Sequence, residues 1–151
     1  MACPYFVPSE IVYDISWPHP ARLPLGAGWK GSCCANAPAN PEREAPILDA
    51  TLLRDHCNLG YATSCPHLPQ ARDWDAVRFS VASSSAGQIT LCYVCDLAHA
   101  PKEHGTLIYN LVSESWQDAA TIDPRVLRLA ASFLHAFRIR QCPPLITHEY
   151  D

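Results

Sequence analysis

Three features of the 151-residue sequence predict an α+β fold, with a three-stranded antiparallel meander packed by a C-terminal helix behind an irregular first half. Residues 76–112 hold three stretches of strand character separated by turn residues. A capped amphipathic helix follows from Asp123. Residues 1–75 carry ten of the 14 prolines and five of the eight cysteines. Proline removes backbone donors, so that half needs something other than a hydrogen-bonded ladder to hold it together.

Residues 1–47 read as a wrapping segment of turns, anchored by Tyr5, Phe6, Trp17 and Trp29. Within it, Gly26-Ala27-Gly28-Trp29-Lys30-Gly31 matches the G-x-G-x-x-G dinucleotide fingerprint. That motif requires a strand before it and a helix after it, and prolines occupy both flanks, so a nucleotide site is not expected. The glycines instead suit tight turns that let Cys33 or Cys34 approach a neighbour closely. Pro38 to Pro46 reads as an exposed connector.

The stretch from Leu48 to Pro69 is the centre of the first half. Asp49 can cap a short helix bearing Leu52, Leu53 and Leu59, and Gly60 can end it in a left-handed turn. The chain between Cys57 and Cys65 is long enough to close a loop that brings both sulfurs to one point, with Pro66 stiffening the exit.

Alternation predicts the strands. Val77, Phe79 and Val81 share one face of Ala76 to Ala82, and Ser83 to Gly87 reads as a hairpin loop. Gln88 to Leu97 returns, and Thr106 to Val112 forms the third strand after the loop His99-Ala100-Pro101-Lys102-Glu103-His104-Gly105. Cys92 and Cys95 form a C-x-x-C, yet residues three apart in a strand point to opposite faces, so no shared site is expected there. In the final helix Val126, Ala130, Phe133 and Phe137 form the apolar face, while Arg125, Arg128, Ser132 and His135 lie on another; Arg125, Arg128, Arg138 and Arg140 are expected to form a solvated face rather than an anion patch. Arg138 and Arg140 suit its C-terminus, and Pro143-Pro144 stops it.

The length suits one domain over residues 1–151, a metal-site half (1–75) and a meander-plus-helix half (76–151). No apolar run approaches eighteen residues and the opening lacks the regions of a secretory signal, so a soluble, cytoplasmic protein is expected. The net charge of −4 favours neither nucleic acid nor an anionic membrane as partner. Eight cysteines in a reducing compartment point to metal before disulfides. Cys3, Cys33 or Cys34, Cys57 and Cys65 supply four thiolates from separate turns, the number that zinc and a [4Fe–4S] cluster both use. Structural zinc takes ligands as close pairs, and none lies in this half; dispersed cysteines, one followed by proline, suit a cluster better.

The segments MACPYF, LPLGAGWKGSCCA, CNLGYATSCPHLP, WDAVRF and HGTLIY together resemble a family of small, uncharacterised, cysteine-rich bacterial proteins. The resemblance runs from Met1 to about Tyr109. It implies that Cys3, Cys33, Cys57 and Cys65 act as a set, choosing Cys33 over Cys34, and it supplies no activity. The expected function is thus an iron–sulfur protein for electron transfer or redox sensing, with an unidentified redox or protein partner. The alternatives are a zinc-stabilised interaction module and an enzyme using the His99/His104 loop. No Ser/His/Asp order, P-loop or H-E-x-x-H occurs, so no catalytic residue is assigned.

Overall fold

The computed structural model describes residues 1–14, 16–35, 48–60 and 62–141. The expected connector Pro38 to Pro46 lies outside them, as do Cys142 and the expected stop at Pro143-Pro144.

The first half is more regular than its prolines suggest. Strands β1 (Phe6–Val12) and β2 (Gly28–Cys33) pair antiparallel, from Phe6 opposite Cys33 to Val12 opposite Gly28. This corrects the expectation of turns alone. Pro8 is tolerated because the register shifts between Pro8 and Glu10, and at such an irregularity a missing N–H costs little. Gly31 permits the close pairing, since a Cβ there would overlap the Val7 carbonyl oxygen. The G-x-G-x-x-G glycines therefore sit largely within a strand and its entry, away from any strand-to-helix turn.

The segment after Asp49 is a short helix in two parts. The Asp49 carboxylate accepts from the amides of Thr51 and Leu52, both at 2.9 Å, and opens α1 (Ala50–Leu52). The chain then widens into a π-helical turn over Leu53–Asn58, closed by the Leu59 amide donating to the Arg54 carbonyl at 2.8 Å. Gly60 has a positive φ of 86°, and a side chain there would overlap the Met1 carbonyl oxygen.

The second sheet has four antiparallel strands in the order β3 (Ala76–Ser85), β4 (Gln88–Leu97), β5 (Ala100–Asn110) and β6 (Ser115–Trp116). Sequence reasoning anticipated three. It missed β6, two residues long, which returns after Asn110 accepts from the amides of Val112 and Ser113 and packs Trp116 edge-on to Tyr109, ring centroids 5.0 Å apart. Two expected loops are also corrected. Strand β3 runs through Ser85 to a two-residue turn at Ala86-Gly87, and β4 turns into β5 at Ala98-His99. Both residues of each turn have positive φ, as a two-residue hairpin matching the twist of its strands requires. His104 consequently stands on β5 opposite Val94 instead of in a loop.

Helix α2 (Pro124–Gln141) begins where expected, with the Asp123 carboxylate accepting from the Arg125 amide at 2.8 Å. It touches both sheets. Phe133 stacks on Phe79 of β3 at 5.6 Å, whereas His135 meets the Trp29 ring at 5.9 Å. Of its arginines Arg138 and Arg140 are exposed, as a solvated face requires, whereas Arg125 and Arg128 are partly buried. Arg125 lies over the Trp74 ring at 4.2 Å and pairs with Asp73 and Asp123; Arg140 donates to the Gly26 carbonyl; Arg128 donates to Pro4 and Phe6. Ser132, placed on that same polar face, is buried. Ala131, His135 and Arg138 mark an exposed strip, and the sheet and the first half of the chain cover the other sides of the helix. One apolar core, from Phe6 and Trp29 through Cys57 to Leu91, Leu107 and Leu129, joins both halves. Among the described residues no helix is long and apolar enough to cross a membrane.

Candidate metal centre

Four separate elements bring cysteines to one cavity between the N-terminal sheet and the π-helical turn. Cys3, Cys33, Cys57 and Cys65 all line it, beside apolar Tyr5, Phe6, Leu52 and Leu68 and the imidazoles of His56 and His67.

Each sulfur is placed by local backbone structure. Ala2 exchanges two 2.8 Å hydrogen bonds with Val77, fixing Cys3 at the edge of β3. The chain then turns, with the Phe6 amide donating to the Cys3 carbonyl at 3.1 Å. Cys33 ends β2, opposite Phe6, and its sulfur accepts from the Ala35 amide at 3.4 Å. Cys57 is buried within the π-helical turn, a widening that re-aims the side chains it carries and recurs at functional sites. Cys65 follows a 3-10 turn at Ala62–Ser64, with its amide donating to the Ala62 carbonyl at 2.9 Å.

The adjacent pair diverges. Cys33 lines the cavity, whereas Cys34 turns away, its amide and its thiol both donating to the Tyr5 carbonyl at 2.9 and 3.2 Å. Arg128 reaches the Cys34 sulfur from the other side at 3.7 Å.

The thiols share one electrostatic environment. Burial pushes the Cys3 thiol from 9.0 up to about 12; the Tyr5 and Phe6 amides oppose that rise, and Cys33 and Cys65 add to it. Burial likewise takes Cys57 to about 12, with Cys3, Cys33 and Cys65 contributing. Cys33 is raised as well, first by burial, against the pull of the Ala35 amide and with Cys34 and Cys65 adding. A set of thiols so disposed holds its protons until a cation compensates the negative charge, and coordination to a metal deprotonates a thiol outright. About 10 Å³ of the cavity is open to a molecule the size of water, too little for a small-molecule substrate. Among the described residues no three His, Cys, Asp or Glu side chains are placed to close on a single metal ion.

The remaining sequence-predicted groups stand apart. Cys95 is fully buried opposite Val77, and Cys92, partly buried, faces Ser80 and Thr106. Both thiols are free. His99 occupies the β4–β5 turn and His104 the exposed face of β5, so the expected two-imidazole loop does not form.

Sequence reasoning missed Asn58 and Arg128. Buried Asn58 accepts from the Trp29 amide at 2.8 Å and donates to the carbonyls of Trp29 at 2.9 Å and Leu53 at 2.8 Å, clamping the turn that carries Cys57 onto β2. No local signal marked Asn58, since Thr51, Arg54, Asp55 and His56 make the same helix polar elsewhere. No protein family, curated protein or solved structure matches the chain.

Proposed function

We propose that this protein binds one [4Fe–4S] cluster through Cys3, Cys33, Cys57 and Cys65 and serves in electron transfer or redox sensing with a protein partner. The observation that carries the reading is the convergence of four thiols from four separate elements on one largely apolar cavity. Sulfurs around a single tetrahedral zinc ion stand about 3.8 Å apart, whereas those on a cubane are held about 6–7 Å apart by its inorganic core. Four thiols lining one cavity from separate segments are the donor set that a cubane takes. About 10 Å³ is open in the cavity, less than a cubane occupies, so binding one would require the lining segments to move apart. With all four positions held by cysteine, no iron would be left open to substrate, so a cluster there would supply electron transfer and no Lewis-acid chemistry. The cluster would also hold the first half together, because metal-binding free energy becomes folding free energy where the site is absent from the unfolded chain.

The narrow cavity and the presence of His56 and His67 in its wall favour a second reading, a zinc-stabilised interaction module. Anaerobic purification separates the two. Brown protein with broad absorption near roughly 400 nm and about four iron and four sulfide per chain supports the cluster. Colourless protein with stoichiometric zinc overturns it in favour of the module.

A further inference from the structure

Past the stacking of Phe133 on Phe79, α2 turns from the four-stranded sheet to the first half of the chain, where His135 meets the Trp29 ring and Arg140 donates to the Gly26 carbonyl. A groove of about 560 Å³ opens between the last turns of α2 and the sheet end that carries the β3–β4 turn. Its floor is apolar. Ile89, beside that turn on β4, is 3 % exposed, while Leu111, Phe137 and Ile139 are half-buried. The Leu111 amide donates to the Gly87 carbonyl at 2.8 Å, which fixes that wall to the sheet. Clefts of about 300–1,000 Å³ with an apolar lining and a few polar groups are the usual size and make-up of small-molecule sites.

The rim carries positive charge. Arg138 and His135, one helical turn apart, both line the groove, and among the described residues no carboxylate does. Arg138 differs from the other arginines of α2. Arg125 pairs with Asp73 and Asp123, Arg128 donates to the Pro4 and Phe6 carbonyls, and Arg140 donates to that of Gly26. Among the described residues Arg138 has neither an ion pair nor a hydrogen-bond partner. A guanidinium offers a carboxylate two parallel N–H donors, and a ligand that also covers the apolar floor excludes water from that pair and so strengthens it.

We propose that this groove binds a small amphipathic carboxylate, with its apolar body against Ile89, Leu111, Phe137 and Ile139 and its carboxylate on Arg138. An uncharged ligand would leave Arg138 unpaired, and a cation would be repelled by it. The proposal is independent of the metal reading, since the groove and the cysteine cavity share no lining residue.

The test is an NMR titration of the full chain with decanoate and with 2-naphthoate, an aliphatic and an aromatic body under the same head group. At least one should bind in equal stoichiometry with a Kd below about 1 mM and shift the amides of Ile89, Leu111 and Ile139. Arg138→Gln, at an exposed position, should weaken that binding about tenfold or more, and decyltrimethylammonium should not displace the ligand. Binding of neither carboxylate, shifts that map elsewhere, or undiminished affinity in Arg138→Gln overturns the proposal. Two further outcomes also overturn it. Self-association of the ligand-free chain in sedimentation, lost in Arg138→Gln, gives the groove to a second copy. Carboxylate binding that appears only after Glu149→Gln and Asp151→Asn gives it to the chain's own last residues.

Discussion

Asn58 and Trp29 exchange two hydrogen bonds across the buried seam between the π-helical turn and β2, the side chain of one residue standing in for a strand against the backbone of the other. Asn58 is 3 % exposed, so no water replaces what its removal would leave unpaired. We expect Asn58→Ala to destabilise the protein by about 2–4 kcal/mol, the cost of stranding buried backbone groups of Trp29 and Leu53. Asn58→Asp, which keeps one acceptor but cannot donate, should lie close to it. Urea denaturation of all three proteins checks this, and a loss under about 1 kcal/mol for Asn58→Ala would show that the seam is held elsewhere.

The proposed ligand set divides at Cys33-Cys34. Cys33→Ser should lose most of the bound metal and melt the first half earlier, because it removes a lining sulfur. Cys34→Ser keeps a hydroxyl donor for the Tyr5 carbonyl, and we expect it to retain metal at a cost of no more than roughly 1 kcal/mol. Metal content by elemental analysis and thermal melts of both variants decide it. Full metal in Cys33→Ser would remove β2 from the site.

How far these features were legible depends on whether their causes were local. Asp123-Pro124 announced α2 because a cap and a first-turn proline act on their own helix, and the alternation of Val77, Phe79 and Val81 announced β3 because a strand has a period of two. The four cysteines stood out because thiols crowd a proline-rich half that needs a crosslink. By contrast, β1 was hidden by Pro8, whose missing donor is harmless only because the register against β2 shifts beside it. Arg128 was assigned to solvent because helical periodicity sees one sheet face and not the N-terminal turn that meets its guanidinium. The β4–β5 loop was misjudged because Ala98 and His99 lack the glycine or asparagine that marks such turns, and tertiary contact holds them instead: the Asp75 carboxylate accepts from the Ala98 amide at 2.6 Å.

The two hairpin turns therefore respond oppositely to glycine. Ala98 has φ of 50°, a left-handed conformation that costs a residue with a Cβ about 1–2 kcal/mol, more than the extra chain entropy of glycine. Ala98→Gly should stabilise the protein by about 0.5–1 kcal/mol. At Gly87, φ is 75° and a Cβ would meet only Val112 Cγ2 in ordinary contact at 3.9 Å, so Gly87→Ala should lose about 1–2 kcal/mol from backbone strain alone. Chemical denaturation of both variants tests this, and destabilisation by Ala98→Gly would mean that the turn relies on the Ala98 methyl for packing.

The raised thiols make the metal-free protein sensitive to alkali. Cys3 and Cys57 titrate at about 12 in the folded chain, chiefly through burial, against 9.0 for the free group. Between those values the unfolded chain has released its thiol protons while the folded chain still holds them, so the folded state binds more protons and stability falls as pH rises. The contribution is fully present below about pH 9 and is lost toward pH 12, at up to about 1.4 kcal/mol per pH unit for each thiol. We expect chelator-treated, reduced protein to unfold at falling urea concentrations from pH 8 to pH 10.5. Cys57→Ser, which removes one titrating group, should have a shallower slope, so that the stability gap between wild type and variant narrows with pH. Parallel slopes would place the Cys57 sulfur in contact with water and detach it from the buried set.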